Sequence, residues 1–152
     1  MTLHTALVNT EEEKISSEKA KKFIFSEKNG AESIFVGRVR NENSGKKVIA
    51  VTYDTHDLVV IKSFQSICNA AKSKFDKGAN IFLEHAKGYV PVGEVSILIA
   101  VGSGHRDEAF QICRYILEEI KHQSPIWKKE HYVEGKEEWL PGHSLRSKKE
   151  IK

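Results

Sequence analysis

Apolar residues along this chain alternate between the spacing of a helix and the spacing of a strand, and this pattern limits the possible folds. The clearest helix is predicted over 107–122, where apolar residues recur at i, i+3, i+4 and i+7 from Ala109, and Pro125 prevents continuation. Two further helices are predicted, over 57–75 and, after a serine cap, over 18–26. The segments between the helices are short, apolar and bounded by glycines or polar turns, as strands are.

The strands are predicted in pairs that single helices separate. They are expected over 5–8, 31–39, 48–53, 80–85, 94–101 and 126–133. The polar turn at 41–47 contains a glycine, so we expect the strands on either side of it to form a hairpin with a mobile tip. The predicted fold class is α+β, with helices packed on a mostly antiparallel sheet. The 152 residues fit one domain, with flexible ends at about 1–16 and 142–152.

The composition excludes several classes of protein. With 39% hydrophobic and 30% charged residues, the chain is typical of globular proteins and unlike disordered ones. Its longest nearly continuous apolar run, 95–101, is far shorter than the ~20 residues of a membrane helix. Three glutamates at 11–13 stand where a signal peptide needs an apolar core, so export is not expected. Cys68 and Cys113 form no CxxC pair, and we predict a cytoplasmic protein.

The net charge of +3 is concentrated at one end of the chain. The segment from Lys121 onward holds eight Lys or Arg and five Asp or Glu, so the preceding residues are neutral overall. This distribution indicates either an anionic partner or substrate near the C-terminal segment, or a solvated basic tail.

Two arginine-containing clusters are candidates for anion binding. Arg38 and Arg40 share one face of the predicted strand, and two guanidinium groups there suit a phosphate or carboxylate. Alternatively, both arginines are solvated at an exposed strand end. Gly104, His105 and Arg106 precede the clearest helix, whose first unpaired N–H groups attract anions. An ordinary helix start is the alternative, because acidic residues follow at once.

Two lysine-containing segments complete the set of candidates. Lys121 lies at the border of the buried helical stripe, where partial burial would lower its pKa, or where it simply extends from the core edge to solvent. If 126–133 is a strand, Lys128 and Glu130 share a face with Ile126, and Lys129 points the other way with Trp127. Lysines beside a tryptophan suit a flat anionic heterocycle. The alternative is that the tryptophan belongs to the core.

The motifs of several common enzyme classes are absent from the sequence. The seven histidines include no HxxxH and no spacing with cysteine that builds a zinc site. The sequence also lacks the GxxxxGK[ST], GxGxxG and GxSxG motifs. Metal, nucleotide and serine-hydrolase chemistry are therefore not first expectations.

Taken in order, these clusters resemble those of the MoaE family, the large, catalytic subunits of molybdopterin synthase. The similar stretches are GA at 30–31, FVGRVRN at 35–41, GE at 93–94, SGHR at 103–106, AF at 109–110, K at 121 and SPIWKKE at 124–130. The resemblance extends over about 20–140, and its most distinctive part is the Pro-Ile-Trp-Lys-Lys-Glu segment after a helix ending in lysine.

The resemblance implies an α/β hammerhead-type fold and a homodimer of large subunits that binds a small ubiquitin-like sulfur carrier at each end. The C-terminal Gly-Gly thiocarboxylate of the carrier would transfer sulfur twice to cyclic pyranopterin monophosphate. The product is the dithiolene of molybdopterin, made in molybdenum cofactor biosynthesis without a metal or other cofactor at this step. Nucleic acid and membrane are not expected as partners.

The resemblance also implies roles for particular residues. Lys121 and Lys128 would be the catalytic lysines. The substrate would be bound by Arg38, Val39, Arg40, His105, Arg106, Lys121, Lys128, Lys129 and Glu130.

Two stretches depart from the family pattern. The family has His-Arg before a glycine where this chain has His85-Ala86-Lys87-Gly88, and Tyr-Glu-x-Tyr where it has Tyr-Asp-Thr-His at 53–56. Two alternative functions therefore stay open. One is a polyanion-binding module, suggested by the basic C-terminal segment, although the aromatic residues mostly follow core spacing. The other is a related scaffold that binds the carrier without catalysis, suggested by the missing arginine at Ala86.

Overall fold

A computed structural model describes residues 1–140, in which one eight-stranded sheet carries three helices. In chain order the elements are β1 (Leu3–Asn9), α1 (Ser17–Ile24), β2 (Ala31–Arg38), β3 (Glu42–Asn43), β4 (Lys46–Thr55), α2 (Asp57–Phe75), β5 (Asn80–Pro91), β6 (Val95–Ser103), α3 (Arg106–Gln123), β7 (Ile126–Tyr132) and β8 (Glu137–Trp139). The predicted α+β class is confirmed. The N-terminal segment expected to be flexible holds β1, and the predicted flexibility of 142–152 lies outside the described residues.

The sheet is antiparallel except where β1 joins it. Its strands follow the order β2, β6, β5, β4, β7, β8, while β1 pairs in parallel with β5 and β3 pairs with β4. The long strand β5 connects two parts of the sheet, because its first half pairs with β6 and β1 and its second half pairs with β4. The inner strands β4 and β7 therefore lie beside the strands that form the apolar core.

The predicted hairpin between 31–39 and 48–53 is wrong. β2 pairs with β6, with Phe35 opposite Ile99, while β4 lies between β5 and β7. The glycine turn closes a smaller hairpin instead, in which Asn43 of β3 pairs with Lys46 of β4. The chain thus leaves β2 at its end and begins a new pair, which places Arg40 in the connection between the two parts of the sheet.

The helices are those that the apolar spacing predicts. α2 has the predicted bounds, α3 extends one residue further at each end, and α1 ends two residues earlier than expected. The Ser16 hydroxyl caps α1 by accepting a hydrogen bond of 3.3 Å from the Lys19 N–H. Within residues 1–140, no helix combines the length and the apolar content needed to cross a bilayer.

The core fixes the position of α3 relative to the sheet. α3 packs on β6 and β2, α2 packs on α3 and β1, and α1 packs on β5 and β6. Phe64 of α2, Ile116 of α3 and Leu98 of β6 are fully buried, and each such side chain stabilises the fold by about 1.5–3 kcal/mol. The Cys113 thiol donates to the Ile99 carbonyl oxygen at 3.8 Å. The C-terminal turn of α3, with Lys121, is thereby held beyond the start of β6.

Candidate active site

Strand β7 presents Lys128 and Glu130 on its inner face. Along the strand, Ile126 and Glu130 are buried, Lys128 is half-buried and Trp127 is exposed, which is the predicted alternation of side chains. In the antiparallel register with β4, Lys128 lies opposite Tyr53. A lysine with its ammonium among core side chains is uncommon, so this position is a candidate for chemistry.

Two further cations lie within electrostatic range of Lys128. Burial lowers the pKa of the Lys128 ammonium, the negative charge of Glu130 raises it, and the positive charges of Arg40 and Lys121 lower it again. The structure therefore brings together residues from the connection after β2, from the last turn of α3 and from β7. We call Arg40, Lys121, Lys128 and Glu130 the cationic cluster.

Backbone hydrogen bonds hold the arginine part of this site in place. Between the two arginines, Val39 is buried, its N–H donates to the Glu94 carbonyl at 3.1 Å, and its carbonyl accepts from the Gly93 N–H at 2.8 Å. The Arg38 Nη1 donates to the Gly93 carbonyl at 2.7 Å. Arg38 thus stabilises the connection between β5 and β6, whereas the charge of Arg40 acts on Lys128.

The carboxylate of Glu130 is buried and held by two donors. Only 4% of Glu130 is exposed, and its Oε1 accepts hydrogen bonds from Asn43 Nδ2 at 2.8 Å and from the Tyr132 hydroxyl at 3.1 Å. Sequence reasoning missed both donors. The Asn-Ser-Gly turn at 43–45 signals a tight hairpin but gives no indication of its distant partner.

A neutral wall lies behind Lys128. The rings of Tyr53 and His85 meet edge to face at 5.0 Å, and both residues are buried. Burial raises the pKa of Tyr53, while burial and the charge of Lys128 lower the pKa of His85 to about 4 despite its hydrogen bond with the Ala86 carbonyl. Both side chains are therefore uncharged at neutral pH.

His105 and Arg106 lie far from the cationic cluster within one chain. His105 is the N-cap residue of α3 and Lys121 lies in its last turn. With a rise of about 1.5 Å per residue, the two are about 24 Å apart along the helix. The preceding Gly104 carbonyl accepts a hydrogen bond of 3.2 Å from the Gly30 N–H at the start of β2. Both side chains are exposed at the opposite end of the β2–β6 pair from Arg38 and Arg40.

Lys129 lies on the outer face of β7, opposite to Lys128. Its Nζ is 3.4 Å from Glu137 Oε1 and 5.1 Å from the centre of the Trp139 ring. Lys129 and Trp139 border an open groove of about 460 Å³. The alternative in which Trp127 belongs to the core is wrong, since 38% of this residue is exposed on the outer face. Neither Lys129 nor Trp127 therefore contacts the cationic cluster from the inner face.

The stretch that departs from the family pattern contributes to this outer groove. Lys87 Nζ donates to Asp57 Oδ2 at 2.6 Å, and this bond with that from the Thr55 hydroxyl lowers the pKa of Asp57. Ala86 is fully buried. Lys87 is thus engaged away from Lys128. Among residues 1–140, no three His, Cys, Asp or Glu side chains gather in a way that would hold a metal ion.

Most of the chain is similar to known proteins. A sequence model of the family described as MoaE protein matches residues 10–123, which include Arg40 and Lys121 and end before Lys128. The molybdopterin synthase catalytic subunit of Synechococcus elongatus is 40% identical over 126 residues, covering 83% of this chain and 76% of that protein. The subunit of the same name from Dictyostelium discoideum is 39% identical over 123 residues, covering 80% and 78%.

Solved structures of proteins with the same or related names have a similar fold. The crystal structure of molybdopterin synthase from Staphylococcus aureus is similar with a TM-score of 0.82 and 31% identity, covering 90% of this chain and 96% of that chain. A structure from Helicobacter pylori, described as a complex of subunits 1 and 2 of molybdopterin-converting factor, is similar with a TM-score of 0.74 and covers 95% and 94%. Its identity of 23% supports a common fold alone.

Proposed function

The chain belongs to the MoaE protein family, and we propose that it is the catalytic subunit of molybdopterin synthase, a sulfurtransferase of molybdenum cofactor biosynthesis. The observation that carries the proposal is the convergence of Arg40, Lys121 and Lys128 beside the buried Glu130. Three cations from separate elements suit a small substrate that carries a phosphate group. Cyclic pyranopterin monophosphate is such a substrate.

The two lysines divide the chemistry between them. Each sulfur transfer forms a carbon–sulfur bond on the pterin side chain and breaks a carbon–oxygen bond there, and the departing oxygen needs a proton. Water then cleaves the thioester to the carrier, which leaves as a carboxylate. Burial lowers the pKa of Lys128, so its ammonium gives up a proton more readily than an exposed lysine, as a general acid must. Lys121 and Arg40 supply fixed positive charge for the thiocarboxylate and the phosphate.

The sulfur donor in this proposal is a small ubiquitin-like carrier with a C-terminal Gly-Gly thiocarboxylate. The Helicobacter pylori structure is described as a complex of two subunits, which supports a carrier that docks on this fold. An extended Gly-Gly end is narrow enough to reach a half-buried lysine between strand and helix. Both cysteines are free and buried, which is consistent with the cytoplasm as the compartment of this reaction.

A homodimer would complete the site with residues that one chain cannot supply. β2 is an edge strand of the sheet, and Phe35 on β2 and Phe110 on α3 are 37% and 65% exposed. A two-fold axis near this apolar face places the Arg40 end of one copy against the His105 and Arg106 end of the other. In this arrangement, His105 and Arg106 of a second copy extend the cationic cluster.

Product formation tests the proposal. The protein is incubated with thiocarboxylated carrier and cyclic pyranopterin monophosphate, and molybdopterin is measured. We expect product with the wild type, none with Lys121→Ala or Lys128→Ala, and wild-type yield with the exposed Lys62→Ala on α2 as the control. Unchanged thermal melting of the variants shows that they fold. Product from a variant that lacks both lysines would refute the assignment, and carrier binding without any wild-type product would indicate a non-catalytic scaffold.

A further inference from the structure

The buried carboxylate of Glu130 depends on a residue from a different part of the sheet. Glu130 Oε1 accepts from both Asn43 Nδ2, at 2.8 Å, and the Tyr132 hydroxyl, at 3.1 Å. Burial and the nearby charges of Glu130 and Glu138 raise the pKa of Tyr132 to about 12, so this hydroxyl stays a donor. Two donors on one oxygen fix the orientation of the carboxylate.

The hairpin of β3 and β4 determines where Asn43 lies. Ser44 and Gly45 have φ angles of 52° and 80°, which is the conformation of a two-residue turn with both central residues left-handed. Asn43 precedes this turn and pairs with Lys46, while the Val48 N–H donates to the Asn41 carbonyl at 2.9 Å. The hairpin therefore begins directly after Arg40 and extends over β7, with the Asn43 amide directed at Glu130.

The charged and titratable groups around Lys128 come from five secondary-structure elements and one connection. They are Arg40 after β2, Tyr53 on β4, His85 on β5, Lys121 on α3, and Glu130 and Tyr132 on β7, with Glu138 of β8 beside Tyr132. Of these groups, Glu130 is the one whose negative charge acts directly on the Lys128 ammonium. A change in the position of its carboxylate therefore changes the charge balance of the cationic cluster.

We propose that Asn43 is a positioning residue for sulfur transfer: its amide fixes the Glu130 carboxylate beside Lys128 and so maintains the protonated lysine. This inference rests on the proposed function for its catalytic part. Asn43 need not touch the substrate, because it acts through the oxygen that it holds. The hairpin follows Arg40 directly and contacts Glu130 through Asn43. One segment therefore links the anion-binding arginine to the carboxylate that acts on the proton-donating lysine.

Three variants test the inference. Asn43→Asp keeps the shape and replaces the amide donor with a second carboxylate, Asn43→Ala removes the donor, and Ser44→Asp adds the same charge one residue away in the exposed turn. Asp is tolerated at the left-handed position of Ser44. The readouts are the titration midpoint of Lys128, from lysine side-chain NMR with Lys128→Arg for assignment, and kcat/KM for molybdopterin formation. Thermal melting checks the fold of each variant.

We expect Asn43→Ala to lower the Lys128 midpoint by about one pH unit, because the Glu130 carboxylate that favours the ammonium is no longer held beside it. Asn43→Asp places a second carboxylate there and should keep the midpoint at or above the wild-type value. Asn43→Ala should lower kcat/KM by about tenfold, mostly through kcat, the loss typical of a hydrogen bond to a charged group. Ser44→Asp should change neither quantity. If Asn43→Ala leaves the Lys128 midpoint where Ser44→Asp leaves it, or is as active as wild type, the inference is overturned. If the wild type makes no molybdopterin while the variants still change the Lys128 midpoint as expected, the proposed function is overturned instead.

Discussion

Mixing two inactive variants tests whether the catalytic site is shared between two copies of the chain. Arg106→Ala removes a cation at the start of α3, and Lys128→Ala removes the candidate acid on β7. Because Arg106 follows the N-cap of α3 and Lys121 lies in its last turn, more than 20 Å separates the two ends, at about 1.5 Å per residue. The proposed dimer brings Arg106 of one copy to Lys128 of the other, so the two variants damage different halves of one composite site.

The recovered activity can be calculated from this arrangement. Random exchange of equal amounts of the two variants gives mixed dimers as about half of all dimers, and each mixed dimer has one intact site and one with both changes. About a quarter of all sites are then intact. We therefore expect about 25% of wild-type molybdopterin formation from the mixture and almost none from either variant alone.

A second mixture provides the control. Lys121→Ala and Lys128→Ala change residues on the same side of the composite site, so every site in their mixture keeps one lesion and no activity should return. Size-exclusion chromatography with light scattering confirms that both mixtures are dimeric. Recovery in neither mixture, with subunit exchange verified, would refute the shared site and confine catalysis to residues of one chain.

Two predictions concern stability. His85 has its pKa lowered from 6.5 to about 4, so the unfolded chain takes up this proton at higher pH than the folded one. Above pH 6.5 this difference contributes about 3 kcal/mol to the free energy of unfolding, and the contribution is lost as the pH falls toward 4. Urea unfolding should show this loss in the wild type and not in His85→Gln. At Gly37, an added Cβ would lie 2.6 Å from Ile97 Cγ2, so Gly37→Ala should cost about 1–3 kcal/mol by urea unfolding. Gly104→Ala, where nothing lies within 4 Å, should cost less.

The spacing of apolar residues predicted the helices and strands better than it predicted which strands pair. The bounds of α2 and the two faces of β7 followed from the positions of apolar residues. The end of β5 did not, because Gly88 has a φ of 82° and yet continues the strand. At this glycine, β5 changes its partner from β6 to β4. A glycine that marks a bend and one that ends a strand look the same in the sequence.

The site was predictable to a similar extent. The helical position of Lys121 at the core edge and the face of Lys128 followed from periodicity, and the charges of Lys121 and Arg40 both act on Lys128 in the structure. The bond from Asn43 to Glu130 joins residues 87 positions apart, and no local pattern reports such a contact. A core position for Trp127 was one of two alternatives, and it is wrong because Trp127 lies on the exposed outer face of β7.

Mass spectrometry of the pterin after a single turnover tests the central claim most directly. With thiocarboxylated carrier in excess, the wild-type protein should convert cyclic pyranopterin monophosphate into a product that contains two sulfur atoms, while Lys128→Ala, folded to the same melting temperature, leaves the substrate unchanged. A wild-type reaction in which carrier is bound and the pterin gains no sulfur would contradict the assignment of this chain as the catalytic subunit.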